Sequence, residues 1–163
     1  VETGHDRLLK EVKKGVSYQE MLQAGQNLVN AGMNLSSMVL LGLAGPGEPS
    51  REHALATARI TNEMKPQYLA ALTVVPVPNT VLHRQVRTGA FKILDAFETL
   101  KEMKWIFENI TIDGLKFVGS HASNYLPISG TLQKDRQKML DTVNKVLDSQ
   151  DKRYLRSENM RGL

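Results

Sequence analysis

The segment His121-Ala122-Ser123-Asn124-Tyr125-Leu126-Pro127 sets an imidazole, a hydroxyl, an amide and a phenol almost side by side. Such a set can bracket a substrate with donors and acceptors, or pass a proton. It also suits a scaffold, because Ser and Asn stabilise turns and Tyr anchors loops on a core. Both readings stay open on the residues alone. A second candidate is the run Gly42-Leu43-Ala44-Gly45-Pro46-Gly47-Glu48. Bare backbone there could approach a nucleotide or phosphate, although turn geometry is the simpler account of the glycines. The run has neither the Gly-Lys-Ser/Thr ending of a P-loop nor the Gly-x-Gly-x-x-Gly spacing of a dinucleotide fold.

Other chemistries are excluded more firmly. The 163 residues include no Cys, which rules out disulfides, thiolate nucleophiles and any iron–sulfur cluster or Cys-ligated zinc held by this chain alone. His5, His53, His83 and His121 are scattered without metal-ligand spacing, so no metal site is expected. Glu108 and Asp113, near a helix end, read as solvated carboxylates rather than an acid/base pair. Gly-x-Ser-x-Gly does not occur, so the nucleophile elbow of that hydrolase type is missing. The net charge of +4 is spread through interleaved acids and bases, which does not indicate nucleic acid. No apolar run approaches the roughly 20 residues of a membrane helix, so no membrane partner is expected and the location is read as cytoplasmic.

These groups must be positioned by a chain whose length and 41% hydrophobic content fit one globular unit. Helices are expected at Asp6–Lys14, stopped by Gly15, and from a Ser17/Glu20 capping box to about Ala31. Further helices are expected at Ser50–Met64, Thr80–Thr88, from an Asp95/Glu98 box to Asn109, and at Thr131–Asp148. Strands are expected in Met33–Gly42, where the apolar run Met38–Leu41 suits burial on both faces, then at Tyr68–Val75 and Leu115–Gly119. His121–Gly130 reads as loop, and 151–163 as a frayed basic tail after a domain spanning 1–150. Alternating strands and helices with short links imply a parallel α/β sheet whose ligands meet the carboxyl ends of its strands. Three or four strands are too few for a closed barrel. The start at Val1 without Met leads us to read a partial (β/α) TIM-like barrel, its C-terminal half with outer helices, cut from a longer chain.

Val1-Glu2-Thr3-Gly4-His5-Asp6-Arg7-Leu8-Leu9-Lys10, then Lys14-Gly15, then Val39-Leu40-Leu41-Gly42-Leu43 are similar, in order and spacing, to the "GxES/TGsdrvLkxxxrG … hhxGLPGET" pattern of the radical S-adenosylmethionine (radical SAM) superfamily. Pro78-Asn79-Thr80-Val81-Leu82-His83 resembles the "PGTPLY" segment. The branch implied holds the oxygen-independent coproporphyrinogen oxidases, the methylthiotransferases and the elongator catalytic subunit. The Gly42–Glu48 loop departs from the Gly-Leu-Pro-Gly-Glu-Thr of relatives, and Asn79 stands where they have Gly.

The resemblance implies S-adenosylmethionine and a [4Fe–4S] cluster in the full-length parent, an oxidoreductase or transferase, with a Cys-x-x-x-Cys-x-x-Cys loop upstream. None of these groups is expected on this stretch, and the stretch alone is not expected to be an enzyme. Glu2 and Lys14 are implied to meet the ribose or methionine moiety. Leu41, Gly42, Leu43, Val75 and Val77 are implied to lie against the adenine, and His121, Ser123, Asn124 and Tyr125 to face an unidentified substrate. The expected partner is the rest of the same polypeptide, and an isolated half-barrel with open edges should self-associate. The alternative is a non-catalytic α/β module that holds a nucleotide or phosphate on its Gly-rich loops.

Overall fold

A computed structural model describes residues 1–162. In chain order the elements are α1 (Asp6–Glu11), α2 (Tyr18–Asn30), β1 (Ser36–Leu41), α3 (Glu48–Met64), β2 (Tyr68–Thr73), α4 (Val81–Arg87), α5 (Ala96–Asn109), β3 (Lys116–Val118), β4 (Ser129–Thr131) and α6 (Arg136–Ser149). Short 3₁₀ turns follow at Lys152–Tyr154 and Glu158–Met160. The sheet order is β1-β2-β3-β4. β1 and β2 are parallel with Ser36 opposite Tyr68, and β2 and β3 are parallel with Tyr68 opposite Lys116. β4 runs antiparallel to β3. On the free edge of β1, Glu2 bridges Val39 in the parallel sense.

Helices cover one face of this sheet. Leu100, Met103, Ile106 and Phe107 of α5 are buried with Val39, Leu41, Leu69, Ala71 and Phe117 of the strands and Met139, Val143 and Val146 of α6. Phe107 meets Phe117 edge-on, with ring centroids 4.7 Å apart. α3 packs beside α5, and α2 packs outside α3 through Tyr18, Met21, Leu22, Ile60 and Met64. Both capping boxes form, Ser17 with Glu20 and Asp95 with Glu98, so the starts of α2 and α5 are set by local chemistry.

Met38–Leu41 is not buried on both faces. Its side chains alternate in and out, and Met38 is 58% exposed. The same open face carries Leu40, Ala70, Leu72 and Val118, the last 38% exposed. A run of four apolar residues looks the same whether its second face is covered or waiting for cover.

Several boundaries move. α1 ends at Glu11, and the left-handed turn falls on Lys13 (φ 55) before Gly15 (φ 78). α3 begins at Glu48 with Pro49 in its first turn, where a missing N–H costs nothing. The second half of α2 turns away from the core, leaving Leu28 exposed, and Leu55 of α3 is likewise exposed. His121–Gly130 is not wholly loop, because Ser129–Thr131 pairs with β3, and α6 starts only at Arg136. The segment after Gln150 is docked rather than frayed, through bonds from Arg156 and Arg161 to the loop before β4; Leu163, the last residue of the expected tail, lies outside the described residues. Among the described residues no helix is long and apolar enough to cross a membrane.

Phe107 joins α5 to the sheet, so Phe107→Ala should lower stability by about 3–5 kcal/mol in urea unfolding.

Candidate functional site

β1 and β2 end side by side, with Leu41 opposite Thr73. Val74 N–H then donates to Leu41 O at 2.9 Å, tying the Leu41–Gly42 edge to the Val74–Val75 edge. One rim therefore holds Leu41, Gly42 and Val75. Gly42 takes a left-handed conformation (φ 85), which a residue without Cβ adopts freely. Its N–H donates at 2.8 Å to Glu102 of α5, a fully buried carboxylate. Glu102 also accepts from Ser50 Oγ and lies 3.0 Å from His53 Nδ1, both on α3. The loop between β1 and α3 is thus pinned to α5 by one carboxylate with three partners. His53 Nε2 and Thr57 Oγ1 are buried beside it on α3 without partners among the described residues.

The His121–Tyr125 segment closes the other side of the rim. β3 pairs with β2 only as far as Ala70, so Ala71–Thr73 lack a backbone neighbour there. Side chains continue the ladder. Thr73 N–H donates to Ser123 Oγ at 3.0 Å, and Asn124 Nδ2 donates to Ala71 O at 2.7 Å and to Gly119 O at 2.9 Å. Thr73 Oγ1 donates to Asn124 Oδ1 at 2.9 Å. Ser123 N–H donates to His121 Nδ1 at 3.2 Å, and Ser123 Oγ lies 2.9 Å from the same nitrogen. Nδ1 therefore acts as acceptor, and a neutral ring carries its proton on Nε2. Tyr125 donates its phenol to Glu158 at 2.6 Å. Burial first, and the carboxylate second, push that phenol well above its usual range and keep it a donor. Ser123, Asn124 and Tyr125 are buried, while His121 keeps a half-buried ring.

Glu2 and Lys14 meet each other. Lys14 Nζ lies 2.9 Å from Glu2 Oε2. Burial alone would raise the Glu2 carboxyl; Lys14, together with the free amine that Val1 carries when it begins the chain, outweighs it and holds the group below the usual carboxylate range. Glu2 pairs with Val39, three residues ahead of Gly42, so this ion pair stands about 10 Å along the strand from the rim. Leu43 is half-buried just past the rim, and Val77 lies exposed beyond Pro76.

Glu102, Thr73, Arg156, Glu158 and Arg161 brace the candidate site, and the sequence does not single them out. A signal exists for Glu102, which falls on the inward stripe Thr99, Glu102, Met103, Ile106 of α5. The partners of Thr73 lie some 50 positions away and leave no local trace.

No family model matches the chain, and no curated protein matches it. Among solved structures it is similar to the archaeal Elp3 of Methanocaldococcus infernus with an N-terminal deletion (1–46), at 16% identity and a TM-score of 0.65. The likeness covers 92% of this chain and 35% of that one, so this chain spans about a third of that protein's length. It shows a shared α/β fold with a mostly parallel sheet and helices.

Glu102→Ala should strand three buried groups at about 1–3 kcal/mol each, read as a matching fall in unfolding free energy. Because Glu2 has a lowered pKa in folded residues 1–163, its ion pair stabilises at neutral pH and fades as acid takes the pH down through and below the ordinary carboxylate range. The melting temperature of Glu2→Gln should therefore lie below that of the parent at neutral pH and converge with it in acid.

Proposed function

We propose that the chain is the later part of a radical SAM (β/α) barrel, supplying cofactor- and substrate-contacting strands while the cluster-binding cysteines lie elsewhere in the same polypeptide. The observation that carries this reading is the one-sided sheet: parallel strands with helices on one face and Met38, Leu40, Ala70, Leu72 and Val118 open on the other. A sector of a barrel has that form, its open face being the lumen. The likeness to a region of archaeal Elp3 supports the same reading.

The groups implied by this reading differ in how they suit the chain. A [4Fe–4S] cluster does not fit, since it needs thiolates and the sequence has none, so no step is derived through it. S-adenosylmethionine fits the residues in kind. The Glu2–Lys14 pair can meet the ammonium and carboxylate of an amino-acid arm, and Gly42, Leu43, Val75 and Val77 offer a bare, apolar edge to adenine, whereas the Leu41 side chain is fully buried under the helices and leaves only its backbone at the rim. Bound in the complete enzyme, it supplies hydrogen-atom abstraction from substrate. In this reading Glu102 fixes the Gly42 peptide, Ser123 and Asn124 hold the end of β2, and His121 presents its half-buried ring to the substrate.

A phosphate-binding module suits the structure less well. The Gly42 N–H is spent on Glu102 and the Gly45 N–H on Gly42 O, while Glu48 and Pro49 occupy the start of α3. An anion would meet a carboxylate there instead of free amides.

The coding sequence upstream of Val1 should contain Cys-x-x-x-Cys-x-x-Cys. Anaerobic reconstitution of that longer polypeptide should produce the brown absorbance of a [4Fe–4S] cluster, and residues 1–163 alone should take up no iron. An upstream region without the three cysteines overturns the proposal. The isolated chain should also self-associate in sedimentation experiments, and Met38→Lys should suppress this without lowering the melting temperature.

A further inference from the structure

The segment after α6 is attached by directed polar bonds more than by apolar burial. Gln150 ends α6 in the left-handed region (φ 51) and turns the chain back. Leu155 packs against the core, while Tyr154 and Met160 stay exposed. Beyond Leu155 the attachment is polar. Arg156 N–H donates to Tyr125 O at 2.8 Å, and its guanidinium donates to His121 O at 2.8 Å and Asn124 O at 3.2 Å. Arg161 Nε donates to Ser123 O at 2.7 Å. The carbonyls of His121, Ser123, Asn124 and Tyr125 are thus all captured by two arginines. Arg161 pairs with Glu158 at 2.7 Å and lies 3.7 Å over the Tyr125 ring; its side chain is 6% exposed and that of Glu158 74% exposed. Glu158 accepts the Tyr125 phenol as well.

This segment forms part of a cleft. Glu158 and Arg161 make one wall of a cavity of about 300 Å³ whose other wall is Val74, Val75 and Pro76, directly beyond β2. A neighbouring cavity of about 350 Å³ lies between Phe97, Tyr125, Leu155 and Arg156. Ligands of parallel α/β sheets enter at this end of the strands. A segment with one leucine anchor and a cluster of hydrogen bonds opens at lower free energy than the sheet beneath it.

We propose that residues 151–162 are a latch over this cleft, turning about Gln150 and closed by the Tyr125–Glu158–Arg161 lock, so that access to the end of β2 is controlled while the sheet stays folded. The latch rests on the segment's own bonds and goes beyond the cofactor reading, so either can fail alone.

The absence of cysteine lets one introduced thiol report access. Val74 is buried in the cleft wall. In a Val74→Cys chain, maleimide labelling should be slow, and adding Tyr125→Phe with Glu158→Gln should speed it at least tenfold. In cysteine-free protein with the same lock substitutions, amides of residues 155–162 should exchange at least tenfold faster while those of Leu69–Thr73 keep their protection. Unchanged labelling overturns the latch. So does exchange that rises in step at 155–162 and in β2, because the segment would then belong to the cooperative core. If Val74→Cys does not fold, the exchange comparison decides alone by the same criteria.

Discussion

Strands of a parallel sheet carry apolar side chains on both faces, so burying one face leaves the sheet half finished. Here α3, α5 and α6 enclose Val39, Leu41, Leu69, Ala71 and Phe117, while on the other face no helix among the described residues covers the exposed Met38 and Val118 or the half-buried Leu40, Ala70 and Leu72. Everything else follows from this asymmetry. Placing the helices on one side fixes the crossovers, aligns the carboxyl ends of β1 and β2, and brings the loops after them to a common rim. The proposed barrel would complete the sheet by enclosing the open face.

The rim is held by polar groups where the regular ladder stops. β3 is too short to pair the end of β2, and the side chains of Ser123 and Asn124 take over that pairing. Behind them, Glu102 ties the Gly42 peptide to two side chains of α3. In front, Arg156 and Arg161 take up the carbonyls that the turn leaves unpaired. Each device satisfies backbone groups that irregular geometry would otherwise strand away from water. The residues that look most like chemistry in the sequence are therefore also structural, holding the shape of the rim.

Local signals are legible in the amino-acid sequence. The capping boxes at Ser17 and Asp95 announce α2 and α5, and the stripe Leu100, Met103, Ile106, Phe107 marks the face of α5 that is buried. Long-range features are not legible in the same way. Ser129-Gly130-Thr131 has no strand pattern and becomes β4 only because β3 offers an edge. The last segment looks like a solvated tail because its charged residues find carbonyls more than thirty positions away. His53 has no ligand-like neighbour along the chain, yet its partner Glu102 lies on another helix. A carboxylate at an inward position of α5 is the clue that such a partner is needed.

The central claim is that the open face of the sheet is covered by more of the same polypeptide. Met38 lies on that face, while Met160 is 69% exposed on the latch and serves as an internal control. Peroxide oxidation of the two methionines, followed by mass spectrometry, should be compared between residues 1–163, diluted until sedimentation shows a monomer, and a polypeptide extended upstream of Val1. The account predicts that Met38 becomes at least tenfold slower to oxidise in the longer protein while Met160 is unchanged. Equal oxidation of Met38 in both would contradict it.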